Sequence, residues 1–170
     1  MASLIDDLID VLSEECEEYR KLTGISGKKM KVIVQQDLDT LQKITAEEQE
    51  HTGKLINLEK KREAVAKDIA MVLNQDEENL TVKDIINVLH SQKEVQGRLM
   101  KVHDELKQTL KNFSMVNEIN KNLIRESLEI VDFNLNYLQG MYPAPETANY
   151  SKNAVNVSPK LDYGVFDAKQ

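Results

Sequence analysis

The chain has 170 residues, enough for one domain whose core needs no metal ion or disulfide for support. Its formal charge of −7 argues against a nucleic-acid backbone as a partner. Charged residues make up 30% of the chain and aromatic residues 5%, with no tryptophan, and this composition favours a helical bundle over a β-sandwich. We therefore expect an all-α protein.

The amino-terminal segment predicts an amphipathic helix with an acidic face. Ser3, followed by Asp6 three residues later, is a helix-capping arrangement, and the predicted helix covers residues 3–22 and ends before the glycine-containing segment 23–27. Its many acidic side chains are typical of a solvated face. Cys16 lies in the apolar stripe and is the only cysteine, so we expect a buried thiol in a cytoplasmic protein.

Two long stripes of apolar residues follow, at steps of three and four, and no proline precedes Pro143. They predict helices over residues 28–74 and 91–139, each about 70 Å long. Thr81 and Asp84 open a short connecting helix over residues 82–89. We expect the long helices to form an antiparallel hairpin, an elongated three- to four-helix bundle in all. The short first helix should pack on the first half of the second helix and the second half of the last.

Five polar side chains interrupt the two stripes, namely Glu48, His51, Arg62, Asn117 and Asn120. A polar residue at a seam position typically fixes the register of helices. Antiparallel pairing would bring some of these groups together in a buried cluster. A register-setting role is one interpretation, and direct binding of a ligand is the alternative.

Signals for catalysis or metal binding are weak. Glu48 and His51 have the Glu-x-x-His spacing of di-iron bundles, but such a site needs a second pair on a facing helix. Neither His90 nor His103 has a glutamate three residues before it. No strand precedes a glycine-rich loop of phosphate-binding spacing. We expect no enzymatic activity, no cofactor and no metal site.

The predicted bundle covers residues 1–140, and residues 141–170 form an irregular tail that holds all three prolines and four of the eight aromatic residues. The longest uncharged run, residues 133–145, is too short to cross a bilayer, and no secretory signal is present. The tail is too rich in apolar residues for an inert linker. It either packs on the bundle or orders on binding a partner, and both hold if it occupies a groove that the partner later takes.

Several positions resemble the FlgN family of flagellar export chaperones over residues 1–155. They are Glu48, Leu55, Leu58-Glu59, Arg62, Leu80-Thr81 and Asn117-x-x-Asn120-x-x-Leu123-Ile124. Tyr150 is similar to a tail tyrosine of that family, although Ala154 stands where the family usually has glycine. The resemblance implies a cytoplasmic, non-enzymatic chaperone of flagellar type III secretion. Its implied partners are hook–filament junction proteins, bound mainly by the carboxy-terminal part, and the export apparatus.

An unsecreted filament protein exposes amphipathic helices that a groove or helix face can cover. We expect such a partner to bind apolar residues off the seam of the last helix and in the tail, namely Ile130, Phe133, Tyr137, Tyr142, Tyr150, Val155, Val157, Leu161, Tyr163 and Phe166. The alternative is a coiled-coil scaffold protein that self-associates through its stripe. A weak homo-oligomer is compatible with the chaperone as well.

Overall fold

The computed structural model describes residues 2–75 and 80–141. They form helices α1 (Ala2–Val34), α2 (Leu38–Leu73), α3 (Val82–Val88) and α4 (Lys93–Met141), with a 3-10 turn at Leu89–Ser91 between the last two. None of these described residues lies in a strand, and the all-α prediction is confirmed. By its packing, the chain divides into a compact unit of residues 1–131 and a second unit from residue 132 onward.

The first helix is longer than the sequence predicted. We expected it to end at residue 22, yet α1 continues through Gly24 and Gly27 to Val34. Each glycine costs a helix about 1 kcal/mol relative to alanine. Ile25 and Ser26 are 5% and 1% exposed, so burial in the bundle offsets that cost and holds the segment helical. The prediction of a loop at residues 23–27 was wrong because tertiary packing outweighs local propensity there.

The chain reverses direction at residues 35–37, within the stretch that we predicted as one continuous helix. Gln36 adopts a left-handed backbone conformation with φ of 55°. The side chain of Asp37 caps α2 by accepting a hydrogen bond from the backbone N–H of Thr40 at 3.0 Å. This cap replaces the intrahelical partners lost at the turn. The predicted start of the second helix at residue 28 was therefore wrong, whereas its end agrees within one residue.

Helices α1 and α2 are antiparallel neighbours. Ser26, late in α1, donates a hydrogen bond to Glu48, early in α2, over 2.6 Å. Glu15, in the first half of α1, accepts one from Arg62, in the second half of α2, over 2.9 Å. The first helix thus packs its initial residues on the second half of α2. We had predicted the first half, and the displaced chain reversal accounts for the error.

Helix α4 runs parallel to α1. Arg98, near the start of α4, lies 2.9 Å from the carboxylate of Asp6, and Asn120 donates a hydrogen bond to the backbone oxygen of Ser26 over 2.8 Å. The beginning of α1 therefore packs on the first half of α4. The prediction had placed it on the second half, which was wrong for the same reason.

The main core lies at the end of the first unit where α1 begins, and α3 closes it. Its fully buried members include Leu8 and Leu99, both 0% exposed. The rest of the buried cluster is Ile5, Ile9, Leu12, Cys16, Ile69, Ile85, Leu89 and Leu106. The burial of Cys16 confirms the prediction of a buried thiol. Its Sγ atom lies 3.3 Å from the hydroxyl oxygen of Thr109. The capping box of Thr81 and Asp84 at α3 is confirmed too.

Candidate partner-binding surface

The three predicted binding residues of α4 are well exposed. Ile130, in the first unit, has 54% of its surface accessible, and Phe133 and Tyr137, in the second, have 69% and 60%. The spacing of four residues between Phe133 and Tyr137 places these two side chains of the second unit on one face of the helix. The predicted tail residues lie outside the described part of the chain, namely Tyr142, Tyr150, Val155, Val157, Leu161, Tyr163 and Phe166.

The end of α4 also exposes apolar residues on other faces. In the second unit, Leu135 and Leu138 are each 50% exposed, and Met141 is 57% exposed. An amphipathic surface helix ordinarily presents polar residues to water on all but one stripe. The final turns of α4 depart from that pattern, so this segment offers a partner more than one apolar face.

An apolar cleft of about 260 Å³ lies in the first unit, beside the turn between α1 and α2. Ile33 and Leu38 line it on one side, and Ile124, Leu128 and Val131 of α4 line it on the other. Leu38 and Leu128 are 69% and 58% exposed. The sequence reasoning missed this cleft because it missed the turn. The signal that could have revealed it is the capping pair of Asp37 and Thr40.

Four of the five predicted polar seam residues contact α1. Two of them, Glu48 and Asn120, form a polar layer around Ser26, which is 1% exposed. Glu48 accepts a hydrogen bond from the hydroxyl of Ser26 and pairs with the ammonium of Lys29. On the opposite side, Asn120 donates to the backbone oxygen of Ser26. One residue of α1 is therefore bonded to α2 and to α4. Asn117 is exposed and takes no part in this layer.

The side-chain oxygen of Asn120 is buried and has no hydrogen-bond partner among the residues that the structure describes. An unpaired buried carbonyl costs about 1–3 kcal/mol in free energy of folding. The amide of Asn120 therefore positions α4 on α1 at an expense in stability, as polar residues at helix seams commonly do. This geometry supports the register-setting interpretation over ligand binding.

Two acidic residues of α1 hold the remaining polar seam residues. His51 Nδ1 lies 2.6 Å from Glu18 Oε2, and Arg62 Nε lies 2.9 Å from Glu15 Oε1. Burial raises the pKa of Glu15 by more than the charge of Arg62 lowers it. Burial also acts to raise the pKa of Glu18, but the hydrogen bonds and the charges of Lys21 and His51 together outweigh it, and the pKa falls below its ordinary value.

The Glu-x-x-His spacing of α2 has a structural explanation. Glu48 bonds to Ser26 and Lys29, whereas His51 bonds to Glu18, so the two side chains serve separate contacts with α1. Within residues 2–75 and 80–141, no three histidine, cysteine or acidic side chains are grouped so that they could hold a metal ion. The pair therefore links α2 to α1 through hydrogen bonds and ion pairs.

Comparison with known proteins bears on the role of this surface. A family model described as "FlgN protein" matches residues 1–157. The chain belongs to the FlgN family. This match confirms the resemblance seen in the sequence, and the FlgN family is a family of chaperones. A relative from Bacillus subtilis (strain 168), "Uncharacterized protein YvyG", is 26% identical over 163 residues, covering 95% of this chain and 96% of that protein.

No solved structure matches this member of the FlgN family. Among its described helices, none combines the length and the apolar character that crossing a membrane requires.

Proposed function

We propose that this FlgN-family protein is a cytoplasmic export chaperone of the flagellar type III secretion system. It binds hook–filament junction proteins before their secretion and presents them to the export apparatus. The observation that carries the proposal is the unusual exposure of large apolar residues on α4 from Ile124 to Met141, in a chain of this family.

The mechanism is burial of apolar surface that neither protein can cover alone. Each square ångström of apolar surface removed from water contributes about 25 cal/mol to binding before the cost of ordering is subtracted. Ile130, Phe133 and Tyr137 supply large side chains for an amphipathic helix of the junction protein. The predicted binding residues after α4, from Tyr142 to Phe166, lie outside the described residues, and we propose that they contact the same partner. We expect this binding to proceed without added nucleotide or metal.

The test is calorimetric titration of the purified chain with a hook–filament junction protein from the same organism. The double variant Phe133→Ala, Tyr137→Ala should weaken binding at least tenfold, which is about 1.4 kcal/mol. Deleting residues 142–170 should do the same. Both changes leave the core cluster intact, so helicity and melting temperature should stay as in the unaltered chain.

Met115→Ala is the matched control, because Met115 is an apolar residue of α4 that is 57% exposed and lies well before the proposed surface. It should bind the junction protein as tightly as the unaltered chain. Unchanged affinity in the double variant and in the deletion would refute this assignment of the surface.

A self-associating scaffold is the second candidate, and one observation favours it. Ile124, Leu128, Val131, Leu135 and Leu138 follow one another at steps of four and three, as seam residues of a coiled coil do. A scaffold should form concentration-dependent oligomers in sedimentation equilibrium, and the substitution Leu135→Asp should dissociate these oligomers into monomers. A chaperone should instead form a complex of defined ratio with its junction protein.

A further inference from the structure

A second groove lies over the middle of α1, between α2 and α4. All of its lining belongs to the first unit, and its volume is about 300 Å³. The floor and walls are formed by Tyr19 and Leu22 of α1, Ile56 and Glu59 of α2, and Leu110 and Phe113 of α4. These residues are distinct from the apolar end of α4 that carries the proposed chaperone function.

The groove has an apolar floor that the bundle leaves partly uncovered. Ile56 of α2 and Leu110 of α4 both line it and are 49% and 39% exposed. The rings of Tyr19 and Phe113 also line the groove and pack against each other with their centroids 5.6 Å apart. One turn of helix, about 10 Å wide and 5.4 Å long, fills roughly 400 Å³. The groove is smaller than that, so it takes side chains of a helix lying across its mouth.

The charges in the groove do not balance. Glu15 is 5% exposed and bonds to the guanidinium of Arg62, which also lies 3.6 Å from Glu59. Two carboxylates therefore share one cation. Burial is the largest influence on the pKa of Glu15, and together with the charge of Glu59 it raises that pKa in spite of the lowering effect of Arg62. The side chain of Glu59 is 59% exposed at the edge of the groove, where a further cation can reach it.

We propose that this groove binds an amphipathic helix of another protein, which inserts apolar side chains between Ile56 and Leu110 and a lysine or arginine beside Glu59. Charge complementarity selects this occupant, because a cation at Glu59 neutralises the excess carboxylate. The nearby ring of Tyr19 adds a favourable surface for the same cation. The inference goes beyond the proposed chaperone function, since it assigns a different surface and does not require a flagellar partner.

The experiment titrates the isotope-labelled full chain with three synthetic helical peptides, followed by NMR. Each peptide is an 18-residue amphipathic helix with a leucine face and an uncharged outer face, and the three differ only in a central lysine, glutamine or glutamate on the leucine face. We expect the lysine peptide to bind about fivefold more tightly than the glutamine peptide at low salt. The glutamate peptide should bind most weakly. Shifted signals should cluster at Ile56, Leu110 and Phe113.

Three variants make the test specific. Glu59→Gln should reduce the preference for the lysine peptide to less than about twofold. Glu118→Gln is the control, because Glu118 is an exposed carboxylate of α4 outside the groove, and it should leave that preference unchanged. Leu110→Asp should weaken all three peptides at least tenfold, since it places a charge on the apolar wall. Leu110 is partly exposed, so this variant keeps its fold, which the NMR spectrum verifies directly.

Equal affinity for the lysine and glutamine peptides, or an undiminished lysine preference in Glu59→Gln, would overturn the proposal. So would a dimer of the unaltered chain that Leu110→Asp dissociates, because a second copy would then cover the groove. The peptides contain no flagellar sequence, so their failure to bind leaves the chaperone proposal standing. Conversely, a failure of the chain to bind a junction protein would leave the peptide titration unaffected.

Discussion

Replacing Asn120 by leucine should make the protein more stable. The change removes one hydrogen bond to Ser26, worth about 0.5–1.5 kcal/mol, and also removes a buried oxygen whose lack of a partner costs about 1–3 kcal/mol. Asn120 is 5% exposed, so a leucine there adds buried apolar surface of about the same volume. The net gain in free energy of unfolding is about 1–3 kcal/mol.

Urea denaturation followed by circular dichroism measures this gain as a higher midpoint at an unchanged slope. Asn117→Leu is the matched control, because Asn117 is exposed on the same helix and its replacement should shift the midpoint little. Asn120→Asp should destabilise, since it buries a carboxylate beside the backbone oxygen of Ser26. If Asn120→Leu is less stable than the unaltered chain, the unpaired oxygen of Asn120 does not lower the free energy of unfolding as its geometry implies.

Three further predictions concern the core, the ion pairs and the turn. Leu99→Ala should lower the free energy of unfolding by about 2–5 kcal/mol in urea denaturation, because Leu99 is completely buried, and an unchanged midpoint would contradict this. Glu18→Gln should cost up to about 1 kcal/mol at neutral pH. Because the pKa of Glu18 is lowered by folding, that difference should disappear as the pH falls below the ordinary glutamate value, and a constant difference in melting temperature would refute the reasoning. Asp37→Ala should lower the melting temperature more than Asp39→Ala, since only Asp37 caps α2, and equal shifts would count against the cap.

Much of the helical pattern was predictable because periodicity and capping acted together. Thr81 with Asp84 marks the start of α3 in the sequence and in the structure. The long apolar stripe after residue 91 likewise gives α4 its length and its buried face. Where both signals agree, tertiary packing has nothing to override.

The first connection was mispredicted because two weak signals competed. Gly24 and Gly27 favour a break, but a Cβ on either would meet no atom within 4 Å, so neither marks a close approach. Burial of Ile25 favours a helix through this segment, and the cap at Asp37 fixes the position at which the chain turns. Only the packed bundle reveals that burial. The apolar cleft lies beside this connection, so the sequence analysis, which did not use the capping pair of Asp37 and Thr40, missed it.

The length of α1 has a practical consequence for binding experiments. α1 has 33 residues and is therefore about 50 Å long, and the apolar cleft lies beside its final residues, Val32 and Ile33. An affinity tag or surface-coupling group fused ahead of Ala2 is attached at the far end of this helix. Immobilisation through the amino terminus keeps the coupling chemistry away from the cleft. A sensor chip prepared in this way presents that end of the first unit freely to a partner in solution.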